Sequence, residues 1–352
     1  MVEAWRKEGK TMRRLLIGMA IICVAYFALT SLTSINLAKN LDIPAFFQKT
    51  SPETSPEAAI KISPVKQEDG KVKLFVHSTS KIIEMPVEEY IVGVVAAEMP
   101  ADFPPEALKA QAVASRTYIV KRLASGGVAN PIHPGADVCD DCRHGQAWIA
   151  RTDMRERWGL LNYYRNYYKI KKAVDDTRGM VITYAGELID PMYHAACGGH
   201  TENSEDVWKF TVPYLRGVPC AYENYPRSEQ TVRLTLSQAG RAVGVDLEAM
   251  AVSSGGGSLI TVLEKTASGR PKTIRIGDKT LSSAALRDML DLRSANFDWS
   301  VEKGNLLITT TGYGHGVGLC QYGAKGMAEH GFAYERILTH YFTGVKIEKR
   351  QQ

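Results

Sequence analysis

Glu98 is the side chain here best suited to acid–base work. It closes an uncharged run, Ile91-Val92-Gly93-Val94-Val95-Ala96-Ala97, and Met99-Pro100 follows it. A carboxyl group at the end of an apolar helix is partly desolvated, which penalises its charged form and raises its pKa. A carboxyl still protonated near neutral pH serves as a general acid. The plainer reading is a helix-end glutamate paired with a neighbouring Lys or Arg.

A second set is thiol and imidazole. His133, Cys139, Cys142 and His144 fall within the stretch HPGADVCDDCRH. Two sulfurs and two ring nitrogens suit tetrahedral zinc, and four protein ligands leave no open position, so such an ion is structural. The same spacing also allows a Cys139–Cys142 disulfide in an oxidising compartment. His194, Cys197 and His200, with Cys220, form a weaker cluster. Its rival is a Cys197–Cys220 disulfide, which closes a loop of about twenty residues and adds about 3 kcal/mol. Cys320 reads as a buried thiol and Cys23 as apolar filler. The glycine-rich stretch Gly312–Gly318 lacks the GK[ST] ending of a phosphate loop. Its glycines allow close backbone approach, with His315 and Gln321 as polar neighbours. No H-E-x-x-H is present, which argues against a zinc hydrolase.

These residues need elements to hold them. Pro86 and the acidic Glu88 and Glu89 mark the start of a helix that stops at Met99-Pro100. A second helix runs from Pro104-Pro105-Glu106 to about Ala124. Lys109 and Arg116 are seven apart and share one of its faces. Gln111 and Ser115 form another polar pairing, read as a helix–helix bond. Lys71–Ser78 alternates as a strand, and Trp148–Thr177 reads as a helix whose stripe Tyr163, Tyr164, Tyr167, Tyr168 belongs in a core. A hairpin turns at Ala185-Gly186, and Met192–Cys197 is a further strand. Later elements are a helix at Leu236–Val243, a hairpin over Leu259–Leu281 turning at Gly269-Arg270-Pro271, a helix capped by Ser282-Ser283, a strand at Leu306–Thr311, and helices from about Leu319 and over Tyr334–Phe342. The class is α+β with mostly antiparallel strands, and no internal repeat is found.

The chain of 352 residues carries a net charge of only +5, and the first fourteen residues hold +3 of it. Nothing in that balance points to nucleic acid. Leu15–Leu32 has no charge and about 27 Å of helical reach, enough for a bilayer core. The preceding basic residues keep the N-terminus cytoplasmic. The expected organisation is a basic tail (1–14), a signal-anchor (15–37), a Pro/Glu/Ser/Thr-rich stalk (38–70) and one extracytoplasmic domain (71–348).

Three blocks resemble the stage II sporulation protein D family, which includes an amidase-enhancer branch. They are EEYIVGVVAAEMPADFPPEALKAQAVASRTY (Glu88–Tyr118), CGGHTENSEDVWKFTVPYLRGV (Cys197–Val218) and GYGHGVGLCQYGAKGMA (Gly312–Ala328). The resemblance implies a peptidoglycan lytic transglycosylase acting on peptide-stripped glycan strands, with Glu98 as its catalytic acid. It also implies functional or substrate-contacting roles for Lys109, Arg116, His315 and Gln321. A structural zinc in the region of His133–His144 is implied for part of the family, with no organic cofactor. Implied partners are the glycan strands, a wall amidase of the stage II sporulation protein P type and a membrane protein of the M type. Cys320 stands where serine is usual. Such chemistry needs only one carboxyl, because the muramic C6 hydroxyl replaces water as nucleophile. The competing function is non-catalytic activation of a partner amidase.

Overall fold

A computed structural model describes residues 70–125, 133–141, 143–208, 210–253 and 259–350. The anchor and stalk expected over 1–69 lie outside these residues, as does Cys142. Among the described residues no helix is long and apolar enough to cross a membrane.

The chain enters through β1 (Lys71–Val76) and β2 (Lys81–Pro86), an antiparallel pair. Pro86 then caps α1 (Val87–Glu98), whose apolar stretch from Tyr90 to Ala96 is buried all round, as a run without a polar face must be. α2 (Pro105–Ala124) starts on its proline and is buried from Ala107 to Val120 with few breaks. The short β3 (Val138–Cys139) pairs with β1 in parallel and so ties the histidine/cysteine loop to the first sheet.

α3 (Arg151–Asp176) lies across α1 and α2 and breaks at Gly159, whose φ of 68° is left-handed. The tyrosine stripe divides. Tyr163 and Tyr167 are buried, whereas Tyr164 and Tyr168 are exposed on the neighbouring face. β4 (Met180–Tyr184) and β5 (Glu187–Leu188) form the expected hairpin, with Ala185 and Gly186 both at positive φ, as a tight turn demands. β6 (Tyr193–His194) and the one-turn α4 (Ser204–Trp208) follow.

Next comes a region with its own apolar cluster, including Leu236, Val243, Ile260, Ile274, Leu286 and Ile308. It comprises β7 (Glu229–Thr235), α5 (Leu236–Val243), α6 (Leu247–Ser253), β8 (Ile260–Lys265), β9 (Pro271–Ile276), β10 (Lys279–Ser282), α7 (Ser283–Met289), β11 (Phe297–Glu302) and β12 (Asn305–Thr311). Two three-stranded antiparallel sheets form, ordered β10-β9-β8 and β11-β12-β7. The chain then returns through β13 (Leu319–Cys320), parallel to β6, into α8 (Gln321–Glu329), α9 (Tyr334–Tyr341) and β14 (Lys346–Lys349) beside β4. The fold is α+β, and its sheets are mostly antiparallel.

The glycine loop Gly312–Gly318 approaches the chain's own backbone. Gly318 has φ 74°, and a Cβ there would collide with the Met192 carbonyl oxygen; at Gly314 it would stand 2.8 Å from the His194 Cβ. The glycines wrap the third block onto β6, which sets the register in which β13 delivers Gln321.

Candidate active site

Glu98 is the last residue of α1, and its carboxyl sits where three chain segments meet. Oε1 accepts the Ala147 backbone N–H at 2.9 Å and faces the Tyr193 hydroxyl at 3.5 Å. Oε2 faces the Gln321 amide at 3.5 Å. Burial is the largest influence on the acid and raises its pKa above the ordinary 4.5; the three donors act the other way but do not cancel it. Among the described residues no Lys or Arg forms an ion pair with Glu98, so the helix-end ion pair is not what holds it.

Each donor has its own support. Gly93 has no side chain, and Trp148 lies over it; a Cβ at this position would collide with the indole. The Ile149 N–H also reaches the Gly93 carbonyl at 3.4 Å, so residues 147–149 run against α1 and aim the Ala147 N–H at Glu98. Tyr193 is fixed at its backbone by His315, whose Nε2 donates to the Tyr193 carbonyl at 3.0 Å while Nδ1 accepts the Val317 N–H at 3.1 Å. That pattern is a neutral imidazole, and burial lowers the His315 pKa to about 4. Gln321 also donates to Gln111 Oε1 at 3.2 Å, and Gln111 donates to Ser115 Oγ at 3.1 Å. The Gln111–Ser115 pairing therefore lies within α2, not between helices, and extends through Gln321 to the acid.

A cavity of about 420 Å³ opens on Glu98. Met99, Pro100 and Asp102 line it, with Arg157 and Trp158 from before the α3 break and Arg165 and Asn166 from after it. Arg157 is anchored by donating to the Ala96 carbonyl at 3.0 Å. Such a wall offers two carboxyl groups, Glu98 and Asp102, with an indole face, an amide and guanidinium groups, a set suited to a polar ring substrate.

Lys109 and Arg116 are placed elsewhere. Lys109 pairs with Glu106 at 2.8 Å and Asp176 at 3.5 Å. Arg116 is buried, grips both carboxylate oxygens of Glu88 at 2.9 and 2.8 Å, and donates to the Val174 carbonyl at 3.1 Å. The shared helix face is real, since both side chains reach the end of α3. Arg116 lines a different cavity, of about 390 Å³, with Glu88, Arg151 and Tyr167.

In the histidine/cysteine loop, His133, Cys139 and His144 converge, and the turn after β1 adds His77; their ligand atoms all lie within 4.8 Å of one another. Cys139 Sγ stands 3.6 Å from His144 Nδ1. His77 is held by Asp140 through Nδ1, the carboxylate–imidazole pairing that orients metal-binding histidines. Three imidazoles and one thiol fit a closed zinc site. The cluster of His194, Cys197 and His200 does not assemble. His194 donates to the Val317 carbonyl and His200 to the Thr201 carbonyl. Cys197 and Cys220 are both free thiols.

Sequence reasoning missed Tyr193, Ala147, His77 and the α3 wall. Tyr193 carried a signal, lying in a strand next to the weaker cluster. Ala147 had none, because it acts through its backbone.

The family model described as stage II sporulation protein matches residues 76–184, which include Glu98 and the histidine/cysteine loop. Stage II sporulation protein D of Bacillus subtilis is 31% identical over 345 residues, 96% of each chain. The protein of that name from Bacillus amyloliquefaciens is 35% identical and covers 83% of this chain and 81% of its own. A Bacillus subtilis protein named amidase enhancer is 27% identical over 72% of this chain and 40% of its own length. With that identity sustained from end to end, this chain belongs to the stage II sporulation protein D family.

Proposed function

We propose that this protein is a membrane-anchored peptidoglycan lytic transglycosylase that cleaves MurNAc–GlcNAc bonds of peptide-stripped glycan strands during septal wall degradation and engulfment. The observation behind this reading is the Glu98 carboxyl, which is desolvated, unpaired with any cation among the described residues, and open to a cavity lined by Trp158, Asn166, Arg157 and Arg165. Protonated, it gives its proton to the glycosidic oxygen as the C1–O bond breaks. As carboxylate it then takes the proton of the muramic C6 hydroxyl, whose oxygen closes on C1 to leave a 1,6-anhydro end. Glu98 returns to its acid form and no water enters. A hydrolase pair of carboxylates is not needed, although Asp102 shares the cavity. The Ala147 N–H, Tyr193 and Gln321 stabilise the carboxylate stage by hydrogen bonding.

In this reading His315 is a positioning residue acting through Tyr193, and Arg116 and Lys109 hold α2 against α3 and Glu88. His77, His133, Cys139 and His144 would hold a structural zinc, which would brace the end of β1 against the loop whose continuation carries Ala147. The anchor places the domain outside the membrane, beside an amidase of the P type that strips stem peptides and a membrane partner of the M type.

A relative named amidase enhancer favours a second reading, activation of a partner amidase without glycan cleavage. The two separate on one variant. Glu98→Gln abolishes anhydro-ended products from peptide-free glycan strands, read by mass, with the fold unchanged by circular dichroism. Cleavage at the wild-type rate by Glu98→Gln would remove the assignment.

A further inference from the structure

Behind the proposed site lies a cluster that neither the chemistry above nor the family resemblance uses. Cys197, Cys220 and Cys320 are buried and unoxidised, and Glu223 joins them. Their ligand atoms lie within 4.8 Å of one another. Tetrahedral zinc, with about 2.3 Å to sulfur and about 2.1 Å to oxygen, needs ligand atoms about 3.5–3.8 Å apart, so small shifts suffice.

The surroundings are arranged as for bound thiolates. Glu223 is oriented by two backbone donors, Cys197 N–H at 2.7 Å and Gly198 N–H at 2.8 Å. Its Oε2 faces the sulfurs of Cys197 at 2.9 Å and Cys320 at 3.0 Å. Cys320 Sγ accepts the Gly323 N–H at 3.3 Å, and Cys220 Sγ lies 2.9 Å from the Tyr341 hydroxyl. N–H and O–H donors directed at sulfur spread thiolate charge, the usual outer support of a metal–thiolate centre. Gly323 keeps the space open, because a Cβ there would collide with Cys220 Sγ and the Tyr341 hydroxyl.

We propose that Cys197, Cys220, Cys320 and Glu223 form a second, closed zinc site. Three thiolates select a soft or borderline ion, and the carboxylate oxygen favours zinc over copper(I). The ligands come from the second block, the segment after it, and the turn into α8. A bound ion therefore pins together the chain on both sides of the glycine-loop contact. It also fixes the residue before Gln321, which faces Glu98.

The test measures zinc in the full-length chain, purified in detergent under reducing conditions without chelator, alongside Cys220→Ser and Glu223→Gln, each checked for native circular dichroism. Wild type is expected to carry one more zinc per chain than Cys220→Ser. In a background lacking Cys139 and Cys142, cobalt(II) is expected to give a near-ultraviolet sulfur-to-metal band that Cys220→Ser weakens. Glu223→Gln keeps every sulfur and is expected to weaken zinc retention against chelator at least tenfold, which decides the matter if Cys220→Ser does not fold. Equal zinc in wild type and Cys220→Ser overturns the proposal. So does equal retention in Glu223→Gln, or a disulfide among the three cysteines in non-reducing peptide maps of native protein.

Discussion

A buried acid without a cationic partner leaves a signature in stability as well as in rate. The folded pKa of Glu98 is raised. Below the ordinary value near 4.5 both folded and unfolded chains hold the proton, and the folded state suffers no penalty. As pH rises toward the folded pKa, the unfolded chain ionises first, and stability is lost until the folded carboxyl ionises too. Glutamine has no proton to lose. The melting temperature of Glu98→Gln should therefore exceed that of wild type by a margin that grows as pH climbs from about 4.5 through the folded pKa, then levels off. A margin independent of pH would mean that Glu98 is not desolvated. At this scale the sequence was informative where chemistry lies in a side chain at an element's end, as for Glu98 and Gln321. It was silent where chemistry lies in a backbone N–H, as at Ala147. His77 escaped because about fifty-six residues separate it from His133, and only the β1–β3 pairing brings them together.

Elements were read well where the signal is local. The start of α2 on its proline, the Ala185-Gly186 turn and the Ser282 cap all follow from short-range backbone chemistry. The strand β2 was missed because exposed Ile82 and Ile83 break its alternation. The glycine loop shows a subtler limit. Its glycines do permit close approach, but what they approach is β6, a partner more than a hundred residues back. Arg116 is the comparable case in α2. A charge on a mostly apolar helix looks like a substrate contact, yet its partners Glu88 and the end of α3 are remote in sequence. Arg116→Met leaves the Glu88 carboxylate half-buried and uncompensated and should cost about 3 kcal/mol or more. Arg116→Lys should recover part of this, having lost the two-pronged geometry. Thermal melts of the two variants check the order, and equal, wild-type melting in both would place Arg116 outside the packing framework.

On the scale of the whole molecule, the first and third sequence blocks meet at one acid. The first supplies Glu98. The third supplies Gln321 directly and His315 through Tyr193, and the second begins four residues after Tyr193. The region between the second and third blocks has its own apolar cluster, and Arg270 fastens it. This residue sits at a hairpin turn, where the sequence suggests exposure. It is buried instead, 3.0 Å from Glu202 and bonded to the Cys197 and His200 carbonyls. Only the tertiary arrangement discloses that clamp, because the pattern of a turn says nothing about what the turn docks on. The convergence makes one measurement decisive. Peptide-free glycan strands cleaved in heavy-oxygen water should yield anhydro-ended products with no label from solvent, and Glu98→Gln should yield none of them. Label at the new reducing end, or anhydro products from Glu98→Gln at the wild-type rate, would contradict a lone recycling acid at Glu98.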